Sequence, residues 1–261
     1  MSQQEFRSSQ HAVDGRRYLI PETEYGYDHP EVIFWTRHFM SEAEKRNVFT
    51  NIKAALLDRR SHGAAQTLAT AWYDFTRYVP TFLTRAVAQS GDPERQHHLI
   101  QIAYDELGGR NKEFIHSRLF LKAIDAIDVK VEASESGASI RDVIQVLDAT
   151  LAHTDSEAGI IGLLLSFEII AEENIETLFD GLCYSDDCNE PLSDSAFFRV
   201  HRADETEHIR HSVANFLRFC NTQIEREAFK QSFDQGIDYW RRFWDQCARL
   251  IHLESNSRTC A

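Results

Sequence analysis

Apolar residues recur along this chain at intervals of three and four, the repeat that turns one face of an α-helix toward a core. The pattern predicts helices over about 30–60 (interrupted near Met40–Ser41), 62–89, 93–107, 110–127, 138–152, 155–183, 193–220 and 223–252. Several starts carry the chemistry of a helix N-terminus. Asp92-Pro93 puts proline in a first turn, Ser139 precedes IRDVIQVLDATL, and Thr154 begins the approach to GIIGLLLSFEII. Ser193 precedes the helix containing FFRVHRADETEHIRH. Alternating β-branched runs joined by hairpin turns are missing, so the fold class is all-α. Residues 1–28 are polar and irregular and read as an N-terminal arm, followed by one helical domain over 29–261. With 5 prolines and 11 glycines, neither residue marks a linker inside that domain.

Composition narrows the function classes. The chain has 261 residues, 43% of them hydrophobic, enough for a sizeable core. Its formal charge of −13 argues against binding nucleic acid or an anionic membrane surface, both of which need a basic face. Five cysteines (Cys183, Cys188, Cys220, Cys247, Cys260) are too few and too irregular for a disulfide framework. Reduced thiols in a cytoplasmic protein are the expectation. No apolar run reaches the length of a membrane span, and the first residues lack the apolar core of a secretory signal.

The chemistry concentrates in His201-x-x-x-Glu205-x-x-His208. At about 100° per residue, these side chains fall within roughly 60° of one another on a helix. The strip continues into Phe197, Phe198 and Phe216, so polar groups are set into a core-facing side. A carboxylate and two imidazoles in that setting carry a large desolvation cost unless a cation holds them. The same helix also has a solvated face, with Arg199, Arg202, Asp204, Glu207 and Arg210, which is the bland reading of the triplet.

Two further segments supply matching groups. Glu168 sits among Ile161, Leu164, Leu165, Ala171 and Ile175, where a carboxylate is either neutral or held by a cation. Glu172 shares its strip as a second candidate, with a helix-edge carboxylate as the plainer reading; Glu173 and Glu176 read as surface. In QIAYDELGGRNKEFIHSRLF, Glu106 shares a strip with Leu99, Ile102 and Ala103, and His116 with Leu119, Phe120 and Ala123. Gly108-Gly109 between them could break the helix and bring both to one metal; Glu113-x-x-His116 is the rival pair. Glu106, His116, Glu168, His201, Glu205 and His208 make a nitrogen and oxygen donor set that suits iron or manganese better than zinc. Six ligands suit two metals sharing a bridging carboxylate.

Glu106, His116 ten residues on, Glu168 and His201-x-x-x-Glu205-x-x-His208 together resemble the haem-oxygenase-like di-iron oxidase and oxygenase family. The resemblance spans about 60–220 and includes YVPTF (78–82) and DELGG (105–109). It implies a single seven-helix haem-oxygenase-like bundle without haem, holding two Fe(II) per chain and using O2 as co-substrate. The residues matching Glu106, His116 and Glu168 would hold one iron, and those matching His201, Glu205 and His208 the other. The implied activity is oxidation of a small organic substrate, an amino acid-like one by preference, through a peroxo-di-iron intermediate. N-oxygenation, desaturation and oxidative C–C cleavage are its outcomes. The family's final motif has aspartate where this chain has Glu205, which leaves Asp204 as a contender. Asp74 is the one acid on the helix before DELGG, where amine-oxygenating members carry a further ligand. Arg77, Arg110 and Arg118 are candidates to pair with a substrate carboxylate.

Other readings use the same residues. A metal-free enzyme similar to the thiaminase or quinone-cofactor synthase types would use the histidines and carboxylates as acids and bases. A ferritin-like di-iron bundle would need two Glu-x-x-His pairs plus two more carboxylates, and Glu106 lies too close to Glu113 to be one of them. A non-catalytic interaction module draws on the aromatic strips of the last helix, Tyr239, Phe243 and Gln246 beside Trp240 and Trp244, for which core packing ranks ahead of a dimer interface. A homodimer is the symmetry prior for assembly.

Overall fold

In the computed structural model, the described residues are 28–131, 135–203 and 205–259, with the side chains of 135–139, 203, 205–208 and 255–259 also outside the description. The expected arm, 1–28, lies outside the described residues except for Asp28. Helices follow in the order α1 (Pro30–Glu44), α2 (Thr50–Arg59), α3 (His62–Gln89), α4 (Pro93–Glu106), α5 (His116–Asp125) and α6 (Glu135–Ala152). Then come α7 (Glu157–Glu168), α8 (Ala171–Leu182), α9 (Asn189–Ser193), α10 (Ala196–Ala203), α11 (Glu205–Phe219) and α12 (Gln223–Thr259). No strand occurs among the described residues. The all-α class expected from the periodicity holds, with more helical pieces than a seven-helix count.

Side-chain caps fix several helix starts. The amide of Ala64 donates to Ser61 Oγ at 3.1 Å ahead of α3, and that of Arg95 to Asp92 Oδ1 at 2.8 Å ahead of α4. Gly159 N donates to Ser156 Oγ at 3.0 Å at the head of α7. Several boundaries differ from expectation: the helix expected from 110 begins at His116, and the one expected from 193 begins at Ala196. The first long helix breaks after Glu44 rather than near Met40–Ser41, where Asn47 takes a left-handed φ of 52°, a conformation asparagine tolerates. The helix expected over 155–183 divides after Glu168 at the buried pair Ile169–Ile170. Glu172 and Glu173 then occupy the first turn of α8, where the helix dipole stabilises them.

The aromatic-rich α12 forms the spine of the core, packed closely on α7 and also against α2, α3 and α6. Small residues permit the α7–α12 approach: a Cβ on Gly162 would run into the backbone carbonyl of Phe229, and one on Gly236 into the side chain of Ser166. Gly162→Ala is therefore expected to destabilise the protein by about 2 kcal/mol, because a backbone obstacle cannot rotate away and outweighs alanine's better helix propensity. A urea denaturation curve at wild-type m-value would show it; unchanged stability would remove this account of the packing.

Tyr239, Trp240, Phe243 and Trp244 are all buried within the chain, so the stripes serve the core. Trp72 and Trp240 stack with centroids 6.2 Å apart, and Trp244 Nε1 donates to Asn174 Oδ1 at 2.8 Å. At one end of the bundle, the buried Arg95 guanidinium pairs with Glu157 and lies 4.0 Å from the Phe219 ring centre. Glu157 also accepts from Ser90 Oγ at 3.0 Å and from the Gly91 amide, tying α3, α4, α7 and α11 together. Cys183, Cys188, Cys220 and Cys247 are buried and free, and burial pushes the Cys183 thiol up to about 11 and Cys220 up to about 12. Cys260 lies outside the described residues. No helix among them is long and apolar enough to cross a membrane.

Candidate metal centre

Glu106 is the last residue of α4 and His116 the first of α5, and the chain between them reverses on two glycines. Gly108 and Gly109 have φ of 84° and 59°, the left-handed region that costs glycine nothing. At Gly108 a Cβ would stand 2.5 Å from Asn111 O and 2.6 Å from the Ile115 amide, so space as well as φ demands glycine. Asn111 Oδ1 accepts from the Glu113 amide at 3.0 Å and starts a single 3₁₀ turn, Lys112–Phe114, that leads into α5. The reversal sets His116 Nδ1 3.1 Å from Glu106 Oε2, with the His116 residue 7% exposed.

A third group arrives from α10. The His201 ring centre stands 4.9 Å from that of His116 at an interplanar angle of 63°. His201 Nδ1 lies 2.8 Å from the Phe197 carbonyl oxygen. A carbonyl can only accept, so Nδ1 carries a proton; a backbone carbonyl on the ring N–H is the arrangement common for ligating histidines, which bind metal through the other nitrogen. Phe197 packs 4.2 Å from His201 and 5.0 Å from Phe120, and both phenylalanines are fully buried, which keeps water from this side.

Iron fits these donors. Two imidazoles and a carboxylate on adjoining helices make the mixed nitrogen and oxygen donor set that suits it. Among the described residues, no group of three His, Cys, Asp or Glu side chains already stands in a metal-holding arrangement. The side chains of Glu205 and His208, and all of Asp204, lie outside the described residues. The H-x-x-x-E-x-x-H strip accordingly spans the end of α10 and the start of α11, with His201 as its one described side chain. Glu168 is half-buried at the end of α7, one residue beyond Phe167.

The rivals are placed elsewhere. Glu113 is exposed and pairs with Lys122 at 2.7 Å, which lowers its pKa, so Glu106 is the carboxylate beside His116. Glu172 is exposed, Glu173 pairs with Lys53 at 2.7 Å, and Glu176 takes both a 2.7 Å and a 3.0 Å bond from Arg202. Asp74 is half-buried on α3. Arg77, Arg110 and Arg118 are all exposed; Arg77 lies 5.3 Å from the Tyr73 ring centre and Arg118 donates to the Lys112 carbonyl at 3.2 Å. Two arrangements had no sequence signal. Tyr78 OH donates to Asp148, which also pairs with Arg85, and desolvation raises the Tyr78 phenol. The His98 and His211 rings meet at 4.0 Å between α4 and α11. Each joins residues far apart in the chain, so periodicity within one helix could not reveal it.

A family described as "Iron-containing redox enzyme" matches residues 66–241. No curated protein matches the sequence. Among solved structures, a CADD-like protein of unknown function from Nostoc punctiforme superposes with a TM-score of 0.68 at 13% identity, covering 83% of this chain and 98% of that one. A TenA homolog from Pseudomonas syringae pv. tomato gives a TM-score of 0.61 at 12% identity, covering 88% and 99%. At such identities the superpositions speak for the fold. The family match takes in Glu106, His116, Glu168 and the whole His201–His208 strip, and by it this chain belongs to the iron-containing redox enzymes of haem-oxygenase-like fold.

Proposed function

We propose that the protein is an O2-dependent non-haem di-iron oxidase or oxygenase acting on a small organic substrate. Its two irons would be held by Glu106, His116, Glu168, His201, Glu205 and His208. The observation that carries this reading is the Glu106–His116 pair at 3.1 Å with the His201 ring beside it, turned by the Nδ1 bond to the Phe197 carbonyl. Ferrous iron, when bound, supplies the electrons that reduce O2 and hence the oxidising power for the substrate.

The chain's own share is positioning. The Gly108-Gly109 reversal fixes where Glu106 and His116 meet, and the Phe197 carbonyl fixes the tautomer and rotation of His201. Phe120 and Phe197 close one side against water, which strengthens every electrostatic interaction inside.

Chelated protein should lose O2 uptake and regain it with ferrous iron but not with zinc. Glu168→Ala should retain its fold and lose bound iron. A wild-type protein that folds normally yet binds no iron after anaerobic ferrous loading would favour a metal-free acid–base enzyme of the thiaminase type instead. Iron retained in full by Glu168→Ala would remove that residue from the centre.

A further inference from the structure

α10 has eight residues, shorter than a helix that is stable alone, so the direction in which it carries His201 is set by its neighbours. It packs on α5 on one side and on α8 on the other. Each side presents a pair of residues one turn apart. Phe197 and His201 meet α5, with Phe197 5.0 Å from Phe120 and His201 4.9 Å from His116. Phe198 and Arg202 meet α8, where the Phe198 ring stands edge-on to Phe179 at 5.2 Å.

The second pair ends in a clamp. Arg202 Nε donates to Glu176 Oε1 at 2.7 Å and Nη2 to Oε2 at 3.0 Å, the two parallel bonds of a guanidinium on a carboxylate. The guanidinium carbon stands 4.4 Å from the Phe179 ring centre and 5.7 Å from that of Phe198. Charge, hydrogen-bond direction and ring contact therefore come from one planar group, a combination that lysine does not offer. Glu176 lies on α8, which starts just after Glu168 across Ile169–Ile170. The clamp thus ties the helix of His201 to the segment that follows Glu168.

Arg202 follows His201 directly, about 100° round the helix, so a bond that fixes one fixes the azimuth of the other. Ala203 ends α10, and in a last turn the intrahelical hydrogen bonds run out. The bond of His201 Nδ1 to the Phe197 carbonyl stays within α10: it sets the ring relative to the helix, but not the helix relative to α5. That second setting falls to contacts with other helices. Arg202 and Glu176 have side chains 34% and 47% exposed, so the pair adds little to global stability; what it adds is direction.

We propose that Arg202, held by Glu176, is a positioning residue that sets the rotation of α10 and so brings the His201 ring beside His116. Its consequence for iron rests on the metal-centre reading above; its consequence for the two rings does not.

The ring contact is read in iron-free protein as the nuclear Overhauser effect between ring protons of His116 and His201, with histidine protonated in a deuterated background. Wild type should show it at a separation of 4.9 Å. Arg202→Met, which keeps an apolar stem on Phe179, and Glu176→Gln should each weaken it. The charge-reversed pair, Arg202→Glu with Glu176→Arg, should restore it in part. Melting temperatures of the single variants should stay within about 3 °C of wild type. Ferrous iron should bind about tenfold more weakly to each single variant and recover in the reversed pair. A ring contact absent from wild type, unchanged in both single variants or unrestored in the reversed pair overturns the proposal. So does a fall in melting temperature well beyond that range, which would make Arg202 a support of the fold as a whole. Wild-type protein that binds no iron, with the ring contact still lost in the variants, would remove the metal-centre reading and uphold this one.

Discussion

His116→Ala is expected to weaken iron binding by more than about 100-fold, because even groups that only orient a metal ligand cost 10–100-fold when removed. The imidazole stands between Glu106 Oε2 at 3.1 Å and the His201 ring at 4.9 Å, so its loss takes away the group that joins the other two. The matched control is Glu113→Gln, on the turn just before, whose carboxylate is exposed and committed to Lys122. Iron per chain after dialysis against ferrous buffer, read beside O2 uptake, should collapse in the first variant and stay at wild-type level in the second. Full iron content in His116→Ala would remove His116 from the centre, and loss of iron in Glu113→Gln would reverse the choice of Glu106 over Glu113.

Glu157→Ala carries the largest expected loss of stability. The Arg95 side chain is 3% exposed, and without Glu157 it is left as a buried guanidinium with no carboxylate at its Nη1. Breaking a buried ion pair from one side costs about 3–5 kcal/mol, and the partial solvent access of Glu157 places this case near 3 kcal/mol. Ser90 Oγ and the Gly91 amide lose their acceptor in the same step. Thermal unfolding should fall by roughly 6–12 °C for a chain of this size. Arg95→Met in the same background should recover part of the loss, since it removes the stranded charge and leaves an apolar stem over Phe219. If Glu157→Ala stays within about 1 kcal/mol of wild type, the pair is acting as a surface bridge and not as a clamp.

Much of the candidate centre was readable before folding. His116 and Glu106 each fall on an apolar helical strip, and the Gly108-Gly109 step between them announces a reversal because only glycine takes two such φ values without strain. The cap at Asp92 is a local hydrogen bond, so residue type and position suffice to read it, whereas α7 is capped by Ser156 and not from Thr154. The arginines show the limit of that approach. Arg77, Arg110 and Arg118 are close to the ligand residues in sequence, yet all three face solvent, because a long charged side chain follows the solvated side of its helix wherever the core allows. The donors on Trp72, Tyr239 and Trp240, without an acceptor among the described residues, left no trace in the pattern either. An indole or phenol on an apolar strip looks the same whether or not a partner such as Asn174 stands opposite it.

The sequence by itself determined the all-α class, the types of donor atom available to a metal and their division among three helical segments. Those follow from side-chain period and ligand chemistry, which act within a few residues. Only the tertiary structure decided that Glu106 rather than Glu113 stands beside His116, and that His201 reaches the pair from α10. It also decided that α7 ends at Glu168, with Phe167 packed among Phe75, Phe82 and Tyr239. Each of these depends on which distant helices pack together, and that choice is made by the summed burial of α12 and its neighbours rather than by any local signal.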